Sequence, residues 1–235
     1  MRYRKLIKGN DLFTFRIQVK ESDILISAEK DLADVAEEIL IDIRRDIEDY
    51  IVNDPTYLTT FEPYKPKSNA PSIVKEMAEA GFSARVGPMA AVAGAIAERL
   101  ARRLKLFSEE VIVENGGDIF IDSKKARNVG IYTKSPPFNK MAIAIEPEEM
   151  PISVCTSSGV MGRSISLGKA DVSLVLAKSG SLADAWATRI GNLILEKSDI
   201  DTAIKEITNI QDIRGAVIIK DDCLGLYGKG FRLVE

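Results

Sequence analysis

From Gly87 to Ala97 the chain carries almost no side-chain bulk: Gly87-Pro88-Met89-Ala90-Ala91-Val92-Ala93-Gly94-Ala95-Ile96-Ala97. Pro88 suits the first turn of a helix, where its missing N–H is no loss. Alanine propensity carries that helix onward toward Lys105, while Gly94 costs roughly 1 kcal/mol relative to Ala. A helix this thin lets another backbone, or a flat ligand, approach closely. Tight burial against a sheet, a wall facing a ligand and a contact between subunits all remain open for it.

The elements around this segment follow an order that constrains the fold. Leu12–Val19 and Ile24–Ser27 read as strands. Leu32, Val35, Ile39, Ile43, Ile47 and Tyr50 then recur at helical spacing. A proline-studded passage from Asp54-Pro55 to Ala70-Pro71 reads as turns and short helical pieces, with a short helix after it over Ser72–Ala80. Strands are expected at Val111–Val113, Ile119–Asp122, Val129–Thr133, Met141–Ile145, Ile152–Cys155 and Val172–Ala177. Helices follow at Leu182–Lys197 and Asp201–Thr208, and strands at Ala216–Lys220, Leu224–Tyr227 and Phe231–Val234 close the chain. Strands and helices come in blocks with no βαβ rhythm. That favours an α+β fold over a doubly wound one. No internal repeat divides the chain, so one domain over residues 1–235 is expected, with a mixed or antiparallel sheet packed against helices.

Composition narrows the function classes. A net charge of −3 gives no field favouring nucleic acid or an anionic membrane. No stretch approaches the ~18 apolar residues that a membrane span needs. Cys155 and Cys223 have neither a disulfide framework nor metal-ligand spacing. No apolar run follows the basic Met1–Lys5, so a cytoplasmic location is expected. The chain contains no histidine. Its commonest general base is therefore missing, and Cys155 has no imidazole to activate it.

Three segments carry chemistry that can be weighed. Asn115-Gly116-Gly117-Asp118 lies between apolar runs, where a two-residue hairpin needs positive φ. The same glycines would let backbone N–H groups reach a phosphate or a flavin edge, with Asp118 on a hydroxyl. Asp184 and Thr188 are neighbours on one helix face, and a carboxylate with a hydroxyl suits Mg²⁺ or Ca²⁺. Ser181-Leu182-Ala183-Asp184 is equally a capping-box pattern in which Asp184 only satisfies its own helix start. Cys155-Thr156-Ser157-Ser158-Gly159, with Arg163 beyond, is a hydroxyl-rich loop after a strand. It could line a phosphate or ring pocket, or be a plain Ser/Gly loop.

Taken in order, these pieces resemble the ApbE family, the FAD-dependent protein flavinyltransferases. The family's N-x-G-G-D-I turn is matched by Asn115–Ile119, and its V-S-T-S-G segment with a following arginine is similar to Val154–Gly159 and Arg163. Its A-D-A-L-A-T helix start resembles Ala183–Thr188, and its G-G-I-A-K-G helix falls at Gly87–Leu100. The run Val86–Glu98 is closer to a soluble ApbE-like branch of archaea and some bacteria. The resemblance spans residues 85–200. It implies that Asp184 and Thr188 hold Mg²⁺, joined by a backbone carbonyl from Met89–Ala91. It also implies FAD or FMN contacts by Asn115, Gly116, Gly117, Asp118, Thr156, Ser157, Ser158, Gly159 and Arg163.

The departures limit what is carried over. The family's H-I-I-D-P segment would fall between Arg163 and Asp171, where this chain reads Ser164-Ile165-Ser166-Leu167-Gly168-Lys169-Ala170. The lysine of the thin helix is replaced by Val92 or Ala93, and the lipoprotein signal is absent. The expectation is a small-molecule nucleotide site with a divalent cation, not FMN transfer to a protein threonine. If the chain catalyses, a Mg²⁺-dependent transferase or hydrolase acting on a nucleotide is the class; no residue is assigned as its general base, and Asp118 and Asp171 are candidates only. The alternative is a non-catalytic ligand-binding or accessory protein, associated at family level with sulfur or flavin metabolism. A homo-oligomer joined through the thin helix is the structural reading.

Overall fold

The computed structural model describes residues 11–133, 135–157 and 168–234. The expected contacts of Ser158, Gly159 and Arg163 therefore lie outside the described residues. Two strands open the chain, β1 (Phe13–Val19) and β2 (Ser22–Ala28), followed by helices α1 (Ala33–Asn53), α2 (Thr56–Thr59), α3 (Ser72–Ala84) and α4 (Val92–Leu104). A 3-10 turn over Pro88–Ala91 leads into α4. Next come β3 (Val111–Asn115), β4 (Asp118–Asp122), β5 (Arg127–Gly130), β6 (Ala142–Ile145), β7 (Ile152–Ser157) and β8 (Val172–Ala177). Helices α5 (Gly180–Leu193) and α6 (Ile200–Ile207) precede β9 (Ile213–Lys220), β10 (Cys223–Gly228) and β11 (Phe231–Val234).

Eight strands form one sheet in the order β1-β2-β3-β4-β7-β8-β9-β10, and every neighbouring pair is antiparallel. The remaining three form a separate antiparallel sheet, β11-β6-β5. This second sheet was not expected from the sequence, because its strands read like any other apolar run. The fold is α+β, as the block order of elements implies.

Side-chain alternation shows why the central strands are apolar on both faces. Val111, Val113, Phe120, Cys155, Val175, Ala216 and Ile218 join the helices in one core. Ile112, Ile119, Ile121, Val154, Leu174, Val217 and Ile219 pack instead with Val129, Ile143 and Ile145 of the small sheet. An antiparallel sheet usually leaves one face to water, but here helices cover one face and a second sheet the other. Among the described residues, no single helix is long and apolar enough to cross a membrane.

Several boundaries moved for local reasons. The α3 helix runs four residues past Ala80, to Ala84, and ends where Arg85 takes a left-handed conformation at φ 56°. The helix expected over Leu182–Lys197 begins at Gly180 and stops at Leu193. Asp199 stops it early by accepting the N–H groups of Leu195 and Glu196, at 2.9 and 3.0 Å, which starts the next turn.

Candidate nucleotide and cation site

The candidate residues come together where α4, α5, the β3–β4 turn and the end of β7 meet, on the helix-covered face. Asn115 and Asp118 are register partners that close the hairpin. Between them Gly116 and Gly117 have φ of +68° and +115°, the pair of positive values that a two-residue turn of this hand requires. The hairpin expected from the sequence is present. A side chain at either glycine would meet nothing within 4 Å, so the turn faces open space. Glu114 steadies it by accepting the Gly117 N–H at 2.9 Å.

Alternation puts Asn115 and Asp118 on the same face as Val113 and Phe120, toward the helices. The Asn115 amide donates to the Ala93 carbonyl at 3.1 Å, tying the hairpin to the first turn of α4. Asp118 accepts the Thr156 N–H at 3.1 Å, tying it to β7.

The thin helix meets α5 rather than a ligand at its most open point. A Cβ on Gly94 would lie 2.2 Å from the Gly180 carbonyl oxygen, and one on Gly180 would lie 2.3 Å from the Gly94 carbonyl oxygen. The two helices cross backbone to backbone at these glycines. Each then supplies the other with a carboxylate. Asp184 of α5 accepts the Gly94 N–H at 2.9 Å, and Glu98 of α4 accepts the Gly180 N–H at 2.6 Å. Both N–H groups belong to the first turn of their helix, where no backbone acceptor exists.

This geometry corrects the capping-box reading of Asp184. The N-cap of its own helix is Ser179, whose hydroxyl accepts from the Leu182 N–H at 3.4 Å. Asp184 instead serves the start of α4, 90 residues away in sequence.

The two exchanged carboxylates sit in opposite electrostatic surroundings. Glu98 is paired with Arg102 at 2.7 Å. Asp184 has the Asp118 carboxylate as its charged neighbour. Burial, and then Asp118's charge, hold it well above the ordinary carboxylate range despite the helping N–H groups of Gly94 and Ala93. Burial raises Asp118 as well, with the charge of Glu114 adding to the shift. The Cys155 thiol lies beside both carboxylates and 3.6 Å from the Gly180 carbonyl oxygen. Burial and the two carboxylates push it far up, so it is not a thiolate nucleophile.

Of the residues expected to contribute, Asn115, Asp118 and Asp184 converge, with Gly116 and Gly117 at their edge. Thr188 follows Asp184 by one turn on the same face of α5 and is partly exposed. Thr156 is exposed, whereas its neighbour Ser157 is buried, so the two side chains leave β7 on opposite faces. The Ser157 hydroxyl has no hydrogen-bond partner among the described residues and lies 3.4 Å from where a Cβ on Gly191 of α5 would be. Asp171, one of the two candidate bases, accepts the Asp221 N–H in the β9–β10 turn at 2.7 Å. Glu98 was missed altogether.

Oxygen donors of this kind fit a hard divalent cation better than zinc. Among the described residues no three Asp, Glu or Cys side chains gather as a metal cluster. Asp184 and Thr188 would thus be a minority of the ligands, the usual case for Mg²⁺ held with water and phosphate oxygens.

A family model described as AbpE bacteria matches residues 4–212. The chain belongs to that family. This AbpE-family chain is 37% identical over 215 residues to a UPF0280 protein of Methanosarcina acetivorans, covering 90% of this chain and 85% of that one. It is 39% identical over 230 residues to a UPF0280 protein of Methanocaldococcus jannaschii, covering 95% and 93%. Among solved structures, the AbpE-family chain is similar to the flavin transferase ApbE of Vibrio cholerae, with a TM-score of 0.63 at 13% identity over 92% of this chain and 96% of that one. It is likewise similar to the Pseudomonas stutzeri flavinyl transferase ApbE in its apo form, with a TM-score of 0.61 at 10% identity over 92% and 93%. At such identities the likeness shows the fold alone. The ApbE-like branch read from the sequence is the one found.

Proposed function

We propose that this chain binds a flavin or another nucleotide together with a divalent cation, at the junction of the β3–β4 turn with α4 and α5. One observation carries the reading. Of two carboxylates exchanged between α4 and α5, Glu98 has a counter-charge in Arg102, while among the described residues the charged neighbour of Asp184 is a second carboxylate, Asp118. With Asp118 buried and Asp184 half-buried, such a like-charged pair is costly unless a cation or proton joins it. Asp184 and Thr188 would hold the cation, which supplies charge neutralisation for the nucleotide's phosphates. Gly116 and Gly117 would admit the ligand close to backbone, with Asn115, Asp118 and Ser157 as its further contacts; the Thr156 side chain leaves β7 on the face away from the helices, so Thr156 would act only through the N–H that holds Asp118. The flavin transferases similar in fold make FAD and FMN the first ligands to try.

A second reading, binding without turnover, is favoured by the side chains themselves. The chain has no histidine, and its buried thiol is held protonated. If the site does turn over, Asp118 is the group suited to take a proton, because its raised proton affinity lies closer to neutrality than that of a free carboxylate. Transfer of FMN to a protein is not proposed.

The test is Mg²⁺-dependent binding of FAD, FMN and ADP to the purified chain, repeated with Asp184→Asn. The amide oxygen of Asn still accepts from Gly94, so the helix crossing survives while the charge is lost. Binding that needs Mg²⁺ and disappears in Asp184→Asn supports the site. Absence of binding by the wild type at any Mg²⁺ concentration rejects it. Product formed from the bound nucleotide would reject the binding-only reading.

A further inference from the structure

We infer that Glu98 is a positioning residue for Asp184, an inference that rests on the proposed role of Asp184 as a cation ligand. The two helices carry the same short pattern, a glycine and then an acid one turn later: Gly94 with Glu98, and Gly180 with Asp184. Each glycine is where the helices touch, and each acid binds the other glycine's N–H. The arrangement is a local twofold exchange between segments that share no continuous sequence. Among the described residues, the Asp184 arm faces a second carboxylate and no counter-charge. The other arm, Glu98, is fully engaged, with Oε2 on the Gly180 N–H at 2.6 Å and Oε1 accepting from Arg102 Nε at 2.7 Å.

That engagement fixes the first residue of α5. The local cap offered by Ser179 is long, at 3.4 Å, so the short charge-assisted bond to Glu98 is the stronger hold on this helix end. Asp184 projects from α5 one turn beyond Gly180. A side chain that pins Gly180 therefore also sets where the Asp184 carboxylate lies relative to Asp118. Removing such a supporting partner from a metal site lowers metal affinity by roughly 10- to 100-fold in comparable cases.

The experiment is calorimetric titration with Mn²⁺, alone and with FAD, of the wild type, Glu98→Gln, Glu98→Asp and Glu98→Ala. Leu100→Ala serves as a control that removes buried bulk from the same helix and leaves both carboxylates in place. Amide hydrogen exchange at Gly180 is followed in parallel. Glu98→Ala should weaken Mn²⁺ by roughly 10- to 100-fold and speed exchange at Gly180. Glu98→Gln, which keeps an acceptor oxygen, should restore both toward wild type. Leu100→Ala should leave the Mn²⁺ affinity of its folded fraction unchanged. If Glu98→Ala does not fold, Glu98→Asp, one methylene short of Gly180, takes its place with the same expected direction. Wild-type affinity in the Ala or Asp variant, or equal weakening in Leu100→Ala, overturns the positioning role alone. A wild type that binds no Mn²⁺ in either condition overturns the reading of Asp184 and this inference with it.

Discussion

Gly94 and Gly180 touch carbonyl to Cα across the α4–α5 crossing, so that a methyl group on either would sit 2.2 or 2.3 Å from the other's carbonyl oxygen. Helix propensity and packing therefore disagree about these positions. Alanine in place of a glycine gains roughly 1 kcal/mol in a helix interior and less in the first turn, where both glycines lie, whereas forcing a methyl into a closed contact typically costs about 1–3 kcal/mol. The obstacle here is backbone, which cannot rotate away, so packing wins. Gly94→Ala should lower unfolding stability, measured in urea, despite its better propensity. A stabilised Gly94→Ala would show that the crossing opens easily.

Asp184 separates two effects that are usually confounded. Asp184→Ala leaves N–H groups at the start of α4 without their acceptor, which costs about 1–3 kcal/mol for a buried donor. Asp184→Asn keeps an acceptor and removes a charge crowded by Asp118. In the absence of divalent cation at pH 8, the Asn variant should be at least as stable as wild type and the Ala variant less stable. Thermal melting of both variants beside the wild type decides it, and equal losses in the two would remove the like-charge argument.

The same crowding predicts a pH dependence with a definite sign. Burial raises Asp118 from its ordinary value of 3.8 to about 7, and Asp184 is shifted in the same direction. The folded state thus holds protons that the unfolded chain releases. This contribution to stability is fully present below pH 3.8 and is lost as pH rises toward about 7. Each such group can add a slope of up to about 1.4 kcal/mol per pH unit. Denaturant titrations between pH 4 and pH 8 should show that fall, and Asp118→Asn should flatten it. Added Mg²⁺ should flatten it too, by taking the protons' place. A profile that rises over this window would contradict the assignment.

At the hairpin, space and conformation make different demands. Nothing crowds Gly116 or Gly117, but both have positive φ. Gly116, at +68°, lies where asparagine is tolerated, so Gly116→Asn should fold with little loss. Gly117, at +115°, lies in a region that glycine alone enters readily, so Gly117→Ala should cost about 1–3 kcal/mol and disturb the Asn115–Asp118 pair. Urea unfolding and FAD titration of the two variants provide the comparison.

What the sequence made legible follows the range of the interactions involved. The α1 helix announced itself through Ile39, Ile43, Ile47 and Tyr50, because a helix buries residues at its own period. The hairpin at Asn115–Asp118 was legible for the same reason, since a two-residue turn is solved within four residues. Asp184 was visible as a polar residue on a helix, yet its partner was not. A carboxylate three residues after a serine looks like a local cap, and only the crossing shows it reaching α4. Glu98 was invisible because Glu at a helical position next to Arg102 reads as an ordinary i, i+4 surface pair. The one signal that could have exposed it is the repeated glycine-to-acid spacing in Gly94–Glu98 and Gly180–Asp184. The small sheet stayed hidden because β5, β6 and β11 differ from the strands of the large sheet only in their partners.

The mutual capping of α4 and α5 has a consequence for how the molecule comes apart. The acceptor completing the first turn of each helix lies 90 or 82 residues away, on the other helix. In a fragment or a half-folded chain the Gly94 and Gly180 N–H groups lose these acceptors, and the local Ser179 cap of α5 reaches only the Leu182 N–H. Fraying at one end uncaps the other, so both melt as one cooperative unit. The α4–α5 crossing, with Asp184 held beside Asp118, is then either whole or gone.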